Sequence, residues 1–277
     1  MKDIIFDPPT KFDFKCADYV PFKDREVCER LRKLSGKELE KHPNPDFNIK
    51  VMLNPHPVLI ATLFSRLKAA SEAGKKYTMI LGNPEPETYI PLAQLINYFK
   101  VDCSKLHIFA MDEWADDQGN IAPETYEAGF AHSMLKYFVY QIDEKLRMPM
   151  ENVHYPTNAN IDEWLNMEAR IVTLHPLTVA QNSLHGVFGQ SGYIQSVPPK
   201  AATIGPVDVK NARERIEVHA LLTNNTFSSW QRMTSRLVLH GPVCPQIPSS
   251  MLQLMKTQVY VSEEIAAPFE CWEKVGY

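Results

Sequence analysis

The sequence predicts an α/β fold: a mostly parallel sheet with helices on both faces, in a three-layer, Rossmann-like arrangement. Two observations lead to this prediction. Short apolar runs alternate with amphipathic segments along most of the 277 residues, which is the pattern of strand–helix–strand units. The runs are continuous rather than alternating, as expected for strands that are buried on both faces of a parallel sheet. The chain shows no internal repeat and no low-complexity tract.

The first half of the domain supplies three strands and two helices. Apolar side chains at helical spacing predict the helices, and apolar runs that end in turn residues predict the strands. In chain order we expect a strand or an entry segment over 48–53, a helix over 55–74, a strand over 77–81, a helix over 88–99 and a strand over 106–111.

The second half continues the alternation. We expect a long helix over 124–140, strands over 170–174, 201–205 and 216–222, a helix over 228–239 and a last strand over 258–264. Residues 1–47 differ from the rest, since they are irregular and charged and allow one short helix over 24–34. We interpret 1–47 as an N-terminal extension packed on the domain or on a partner subunit, and 48–277 as one domain.

Composition excludes several classes of function. The net charge is −4 and the pI about 6.1, so the basic surplus of a nucleic-acid binder is missing. Five scattered cysteines without CxxC spacing indicate neither a disulfide framework nor a zinc site, and favour a cytoplasmic protein. No apolar run approaches the ~20 residues that span a bilayer. We predict no metal and no other cofactor.

Only 11 glycines stand against 21 prolines, which disfavours glycine-rich phosphate loops.

Two adjacent carboxylates follow the strand predicted over 106–111. In parallel sheets, ligands bind beyond the carboxyl ends of the strands, and Asp112 and Glu113 lie at such an end. Partial desolvation there raises the pKa of a carboxylate and makes it a usable base near neutral pH. The alternative is that Asp112 caps a turn and Glu113 is solvated.

The loop 82–88, with the sequence GNPEPET, follows another predicted strand and precedes a helix. Backbone N–H groups at the start of that helix suit ligand binding. Glu85 and Glu87 do not suit a phosphate, because they would repel an anion while stabilising the positive end of the helix dipole. Acidic capping of the helix is therefore the alternative to a binding loop.

Several segments, taken in order, resemble the glucosamine-6-phosphate deaminase/isomerase family, whose fold group includes 6-phosphogluconolactonase. YTMILGNPEPETYIPLAQL resembles that family's first strand, sugar-phosphate loop and helix. KLHIFAMDEW resembles its strand ending in Met-Asp-Glu-Tyr, and PMENVHYPTN its Pro-Glu-Asn-Val-His pattern. RIVTLHPLTVAQNS, VPPKAATIG and SSMLQLM continue the match, which covers about 48–265.

The resemblance implies a function and a site. In the family, the first acid of the Met-Asp-Glu motif moves the C2 proton of the opened sugar, so Asp112 is implied as the catalytic base. The implied substrate-binding residues are Gly82, Asn83, Glu85, Thr88 and Glu113. The implied partner is a small-molecule sugar or sugar phosphate, and the implied assembly is a homo-oligomer.

Four departures from the family concern the phosphate and the ring-opening groups. In the phosphate loop only Thr88 survives. Val179 stands where the family has an arginine, and Gln231 where it has a phosphate-binding lysine. The glycine-rich strand end with its Asp-Gly-His motif, expected between 158 and 170, is missing. We expect these changes to weaken phosphate binding strongly, because charge-assisted hydrogen bonds are among the strongest in proteins.

The missing strand allows two interpretations. Either the protein lacks it, or the sequence is interrupted between Trp164 and Arg170. We favour the interruption, because removing a central strand leaves backbone groups of its neighbours unpaired. The function predicted from the sequence is an isomerase or deaminase acting on an amino-sugar phosphate or related sugar, with a degenerate phosphate site. Two alternatives stay open: a non-catalytic sugar sensor and a hydrolase similar to 6-phosphogluconolactonase.

Overall fold

The computed structural model describes residues 14–82, 84–162, 170–220 and 229–269, and it confirms the α/β class. Nine strands are found in the described residues. They are β1 (Phe47–Met52), β2 (Tyr77–Leu81), β3 (Leu106–Ala110), β4 (Asp112–Ala115), β5 (Val153–His154), β6 (Arg170–Thr173), β7 (Lys200–Thr203), β8 (Ile216–His219) and β9 (Thr257–Ser262). Seven of them lie close to the predicted positions, and β4 and β5 were not predicted.

The α-helices connect these strands, and short 3₁₀ turns supplement them. Within the described ranges they are α1 (Arg25–Leu31), α2 (His56–Glu72), α3 (Pro86–Phe99), α4 (Phe130–Tyr137), α5 (Pro176–Asn182), α6 (Pro206–Asn211), α7 (Gln231–His240) and α8 (Glu263–Ala266). None of these helices is long and apolar enough to cross a membrane.

The described strands form three three-stranded sheets. Two are parallel, with the orders β1-β9-β8 and β2-β3-β5, and the third is antiparallel, with the order β4-β7-β6. Strands β2 and β8 each pair with one neighbour among the described residues and therefore form sheet edges. The parallel sheets place their carboxyl ends on the side where the sequence predicts the site.

Two apolar cores support the parallel sheets. The first lies between the sheet of β2 and β3 and helices α2, α3 and α4, and includes the fully buried Leu92, Ile96, Ile108 and Met134. The second lies under β1 and β9 and includes Ile49, Val259 and Leu239. These cores fix the strand ends around which the candidate site is built.

The described part of the N-terminal segment packs against this same chain. Leu39 belongs to the core under β1 and β9, and Leu31 is fully buried. Arg236 Nε donates to Leu34 O at 2.9 Å, and His240 Nε2 lies 2.9 Å from Leu39 O. Of the two placements expected for this segment, the structure shows packing on its own domain.

The helix predicted over 124–140 is shorter than its apolar spacing indicates. Helix α4 begins at Phe130, and a 3₁₀ turn follows it at Val139–Gln141. Residues before Gly129 form turns, including Gly129 N to Tyr126 O at 2.8 Å. The helix begins at Phe130 because the side chain of Glu113, distant in sequence, accepts hydrogen bonds from its first N–H groups.

The expectation of an interruption between Trp164 and Arg170 is wrong, because the full sequence of 277 residues is continuous there. Residues 163–169 lie outside the described residues. In the described part of the chain, β2 belongs to one parallel sheet and β8 to the other, which is consistent with the absence of the glycine-rich strand. The protein therefore lacks the segment that carries the Asp-Gly-His motif in the family it resembles.

Candidate active site

The ends of β1, β2, β3 and β8 lie along one edge of the molecule, where His56, just after β1, has its Nδ1 3.0 Å from Thr88 Oγ1 at the start of α3. Met111 N donates to Leu81 O at 2.9 Å, which places the ends of β2 and β3 side by side. His219, the last residue of β8, is in register with Val261 of β9, which is in register with Val51 of β1. We call this side, where β1, β2, β3 and β8 end, the carboxyl edge.

Asp112 begins β4, immediately after β3. It is held by the antiparallel pairing with Thr203 and by a hydrogen bond from Ile204 N to Met111 O at 3.0 Å. Burial raises the pKa of Asp112 to about 7, and the neighbouring Glu113 adds to the shift. A carboxyl group with that pKa can take up and return a proton near neutral pH, as a general base must. This environment suits a general base, and a catalytic role for Asp112 stays a prediction.

Glu113 is fully buried and its carboxylate is occupied by backbone groups. Oε1 accepts from Trp114 N at 2.8 Å and from Phe130 N at 3.2 Å, and Oε2 accepts from Ala131 N at 2.7 Å. These bonds satisfy donors at the start of α4 that have no partner within the helix. Burial raises the pKa of Glu113, and the three N–H donors oppose that shift. This geometry favours capping over contact with a substrate, so a binding role for Glu113 stays a prediction.

Gly129 allows Glu113 to approach the start of α4. A Cβ atom at position 129 would lie 2.9 Å from Tyr126 O and 3.3 Å from both carboxylate oxygens of Glu113. The first of these distances is too short for a real Cβ contact. The glycine is therefore required by the turn and the cap together.

We expect Glu113→Gln to lower the free energy of unfolding by about 2–3 kcal/mol, because an amide N–H₂ would replace one acceptor and leave buried donors unsatisfied. Equilibrium denaturation with urea measures the change. Glu127→Gln, in the same loop but exposed, is the matched control and should change stability by less than about 0.5 kcal/mol. Equal stability of the two variants would contradict the capping role.

The loop after β2 is built around a helix cap. Glu85 accepts a hydrogen bond from Thr88 N at 3.0 Å, as the residue that caps α3. Thr88 is fully buried, and Gly82 is exposed with open space around its Cα. Asn83 lies outside the described residues. The binding roles implied for these residues stay predictions, since the capping function alone accounts for the Glu85 contact.

His56, which the sequence did not single out, lies against this loop. Its Nδ1 is 3.0 Å from Thr88 Oγ1 and 3.5 Å from Glu85 Oε1, and its Nε2 is 3.8 Å from Glu87 Oε2. Glu85 raises the pKa of His56, with Glu87 contributing and burial opposing. The carboxylates of the loop thus face an imidazole of the preceding unit. A lone histidine at a helix start gives no sequence signal for such a contact.

A second polar group at the carboxyl edge was also missed. His219 Nδ1 is 2.8 Å from Ser235 Oγ of α7, and His219 Nε2 is 3.2 Å from Glu217 Oε1. Glu217 and His219 are separated by one residue in β8, so both side chains point to the face covered by α7. The only signal in the sequence is a pair of polar residues within an otherwise apolar strand.

Uncharged residues stand at the two positions where the resembled family has an arginine and a lysine. Val179, in α5, packs against the small cluster that contains Trp114 and Phe188. Gln231 is the first residue of α7. Within the described ranges, no group of three or more His, Cys, Asp or Glu side chains could hold a metal ion.

An open cleft of about 540 Å³ lies beside β4. It is lined by residues 125–128 and by Val187, Phe188, Tyr193 and Ser196. Phe188 contacts the ring of Trp114 edge-on, with centroids 5.8 Å apart. None of the site residues predicted from the sequence lines this cleft.

Several proteins of known structure share this α/β fold. One is a monomeric glucosamine-6-phosphate deaminase, described as a missing link of the NagB superfamily. It is 16% identical, covers 79% of this chain and 98% of its own, and has a TM-score of 0.60. Another is the 6-phosphogluconolactonase of Leishmania guyanensis, which is 9% identical, covers 81% of this chain and 99% of its own, and has a TM-score of 0.50.

The resemblance drawn from the motifs is therefore confirmed at the level of the fold. The chain has the fold of glucosamine-6-phosphate deaminase and 6-phosphogluconolactonase, and its low identity to both marks it as divergent. No protein-family model matches the sequence, and no curated protein matches it.

Proposed function

We propose that the protein is a sugar isomerase or deaminase in carbohydrate metabolism, acting on an amino sugar or its phosphate, with Asp112 as the base. One observation carries the proposal: a carboxyl group with a pKa of about 7 lies at the end of β3, on the carboxyl edge. Fold alone does not establish an activity, so the proposal rests on this residue and on the match of the MDEW and PMENVH segments to the deaminase family.

The chemistry fits a single carboxylate. Asp112 removes the proton from C2 of an opened 2-amino aldose, which forms an enolamine, and returns the proton to C1. The resulting ketimine then takes up one water and releases ammonia, leaving a ketose. A base with a pKa near the working pH is best suited to both proton transfers.

A non-catalytic sugar sensor on the same fold is the second candidate. The observation in its favour is the absence of the Asp-Gly-His segment from the sequence, because the family it resembles uses that histidine in ring opening. A hydrolase similar to 6-phosphogluconolactonase is the third candidate. The match of the MDEW and PMENVH segments to the deaminase branch favours a deaminase over this hydrolase.

Ammonia release separates these candidates. The purified protein is incubated at pH 7.5 with glucosamine 6-phosphate and, separately, with glucosamine, and ammonia is measured with a coupled assay. The proposal expects ammonia from at least one of the two sugars. Thermal stabilisation by a sugar without any turnover would support the sensor, and hydrolysis of a sugar lactone without ammonia release would support the hydrolase.

A further inference from the structure

Two acceptor oxygens, one in β8 and one at the start of α7, lack a partner among the described residues. Glu217 Oε2 and Gln231 Oε1 are buried and accept no hydrogen bond from the described residues. Leaving such a group unpaired is unfavourable, and natural structures avoid it except where a ligand or water completes the set. Both oxygens therefore indicate a site for a hydrogen-bond donor.

The two oxygens belong to neighbouring elements on the carboxyl edge. Gln231 and Ser235 are four residues apart in α7 and so share one face of that helix. Ser235 Oγ is 2.8 Å from His219 Nδ1, which shows that this face is turned toward β8. Glu217 is on the same face of β8 as His219, whose Nε2 lies 3.2 Å from Glu217 Oε1. The contact with His219 leaves Oε2 as the oxygen of Glu217 that remains available.

The two arginines closest to Gln231 in sequence donate to backbone carbonyls. Arg232 Nη2 donates to Ala267 O at 2.9 Å. The guanidinium of Arg236 donates to the carbonyls of Ile265, Ala266 and Ala267. Residues 171–199, which include Val179, contain no lysine, arginine, aspartate or glutamate. The local supply of positive charge that a phosphate dianion needs is therefore low.

The loop after β2 also lacks the positive charge that a phosphate would need. Within the described residues, the carboxylates of Glu85 and Glu87 form ion pairs with His56 alone, at 3.5 and 3.8 Å. His56 in turn lies at the start of α2, directly after the end of β1. Carboxylates thus occur on both sides of the edge, where they would repel an anionic ligand and attract a donor or a cation.

We infer that the carboxyl edge recognises an unphosphorylated amino sugar, whose hydroxyl and ammonium groups donate to Glu217 and Gln231. This inference rests on the proposed function and narrows its substrate to the sugar without the phosphate. Glu217 and Gln231 are specificity-determining residues in this account. Gln231 stands where the family has its phosphate-binding lysine, so a single substitution there should change the preference.

Isothermal titration calorimetry tests the inference with two probes, glucosamine and glucosamine 6-phosphate, titrated into the full chain at pH 7. We expect the wild-type protein to bind glucosamine at least about tenfold more tightly than the phosphate. Gln231→Lys should shift the ratio of the two affinities toward the phosphate by about tenfold or more, because it adds a charge-assisted contact. Glu217→Gln should weaken glucosamine binding about tenfold, since the charged acceptor is lost.

The control is Gln118→Lys, which adds the same charge at an exposed turn and should leave the ratio unchanged. Thermal unfolding of each variant shows whether it is folded. Tighter binding of the phosphate by the wild-type protein, an equal ratio in the Gln231→Lys and Gln118→Lys variants, or no binding of either sugar would overturn the inference. Binding without ammonia release would instead contradict the proposed catalysis and leave the recognition site intact.

Discussion

Asp112→Asn is expected to abolish ammonia release, with a fall in kcat of about 10²–10⁴-fold, the typical contribution of a positioned acid–base group. The amide keeps the shape of the side chain but cannot take a proton from C2. Coupled assays of ammonia with glucosamine and glucosamine 6-phosphate measure the change. Because the substitution preserves size, KM should change much less than kcat.

Asp116→Asn serves as the control. Asp116 follows β4 by one residue, and its carboxylate accepts from Asn120 and from backbone N–H groups of an exposed turn. Removing that charge should leave kcat within about twofold, since surface changes away from a site have small effects. An Asp112→Asn protein with wild-type turnover would refute Asp112 as the base.

The rate should depend on pH through the same group. Because burial raises the pKa of Asp112 to about 7, the base is protonated in acid, and log kcat/KM should rise with pH and level off above about pH 7. The free energy of unfolding should change with pH in the opposite direction. The native state holds the proton between the unfolded value near 4 and about 7, so this residue makes the protein less stable as pH rises through that range.

Asp112→Asn should therefore gain stability relative to wild type at pH 8 and not at pH 4. Each pKa unit corresponds to about 1.4 kcal/mol, so a gain of a few kcal/mol is expected. Urea denaturation at the two pH values measures it. A gain of equal size at both pH values would contradict the raised pKa.

Arg236→Ala is expected to destabilise the protein by about 3–5 kcal/mol, the typical result of breaking a buried charged network. Arg236 is fully buried and donates five hydrogen bonds to backbone carbonyls. The acceptors are Leu34, Arg232, Ile265, Ala266 and Ala267. Truncation would leave those carbonyls without their donor and open a cavity.

The measurement is a thermal melt, where we expect a fall in Tm of roughly 10 °C for a chain of this size. Arg236→Lys keeps the charge but offers a single ammonium in place of a planar fork, so it should recover only part of the loss. Arg32→Ala is the control, since that side chain is half exposed and, among the described residues, forms an ion pair with Glu29 only. A Tm change as small for Arg236→Ala as for Arg32→Ala would contradict the role assigned to the network.

The strands of the parallel sheets were predictable because their signal is local. Runs such as YTMIL and LHIFAM are apolar and end in turn residues, and both form strands within one residue of the expected ends. Asp112 was predictable for the same reason, since a carboxylate directly after such a run lies at a strand end. The fold class followed from the alternation of these runs with helices.

The remaining features depend on contacts between distant parts of the chain. Helix α4 begins at Phe130 because Glu113 caps it from seventeen positions away, and helical spacing over 124–140 contains no trace of that contact. The pairing of His56 with the loop after β2, and of His219 with Ser235, likewise exists only after folding. The absence of the family's Asp-Gly-His motif could be recognised in the sequence, but the effect of that absence on the sheet could not be predicted.

We propose that Asp112 is a base beside a binding site that differs from the site of the family the sequence resembles. Burial raises the pKa of Asp112 to about 7, and Glu217 Oε2 and Gln231 Oε1 are acceptors that have no partner among the described residues. Glu113 and Arg236 serve the scaffold, the first by capping α4 and the second by joining the N-terminal segment to α7 and α8. The central claim is therefore that Asp112 moves a proton at C2 of an amino sugar.

Exchange of that proton with solvent tests the claim most directly. The protein is incubated with glucosamine in D₂O at neutral pD, and the C2 proton is followed by ¹H NMR, with glucosamine 6-phosphate in a parallel sample. We expect the wild-type protein to exchange the C2 proton of at least one sugar for deuterium, and the Asp112→Asn protein to leave both unlabelled. Equal labelling by the two proteins, or no labelling by the wild-type protein, would contradict the account.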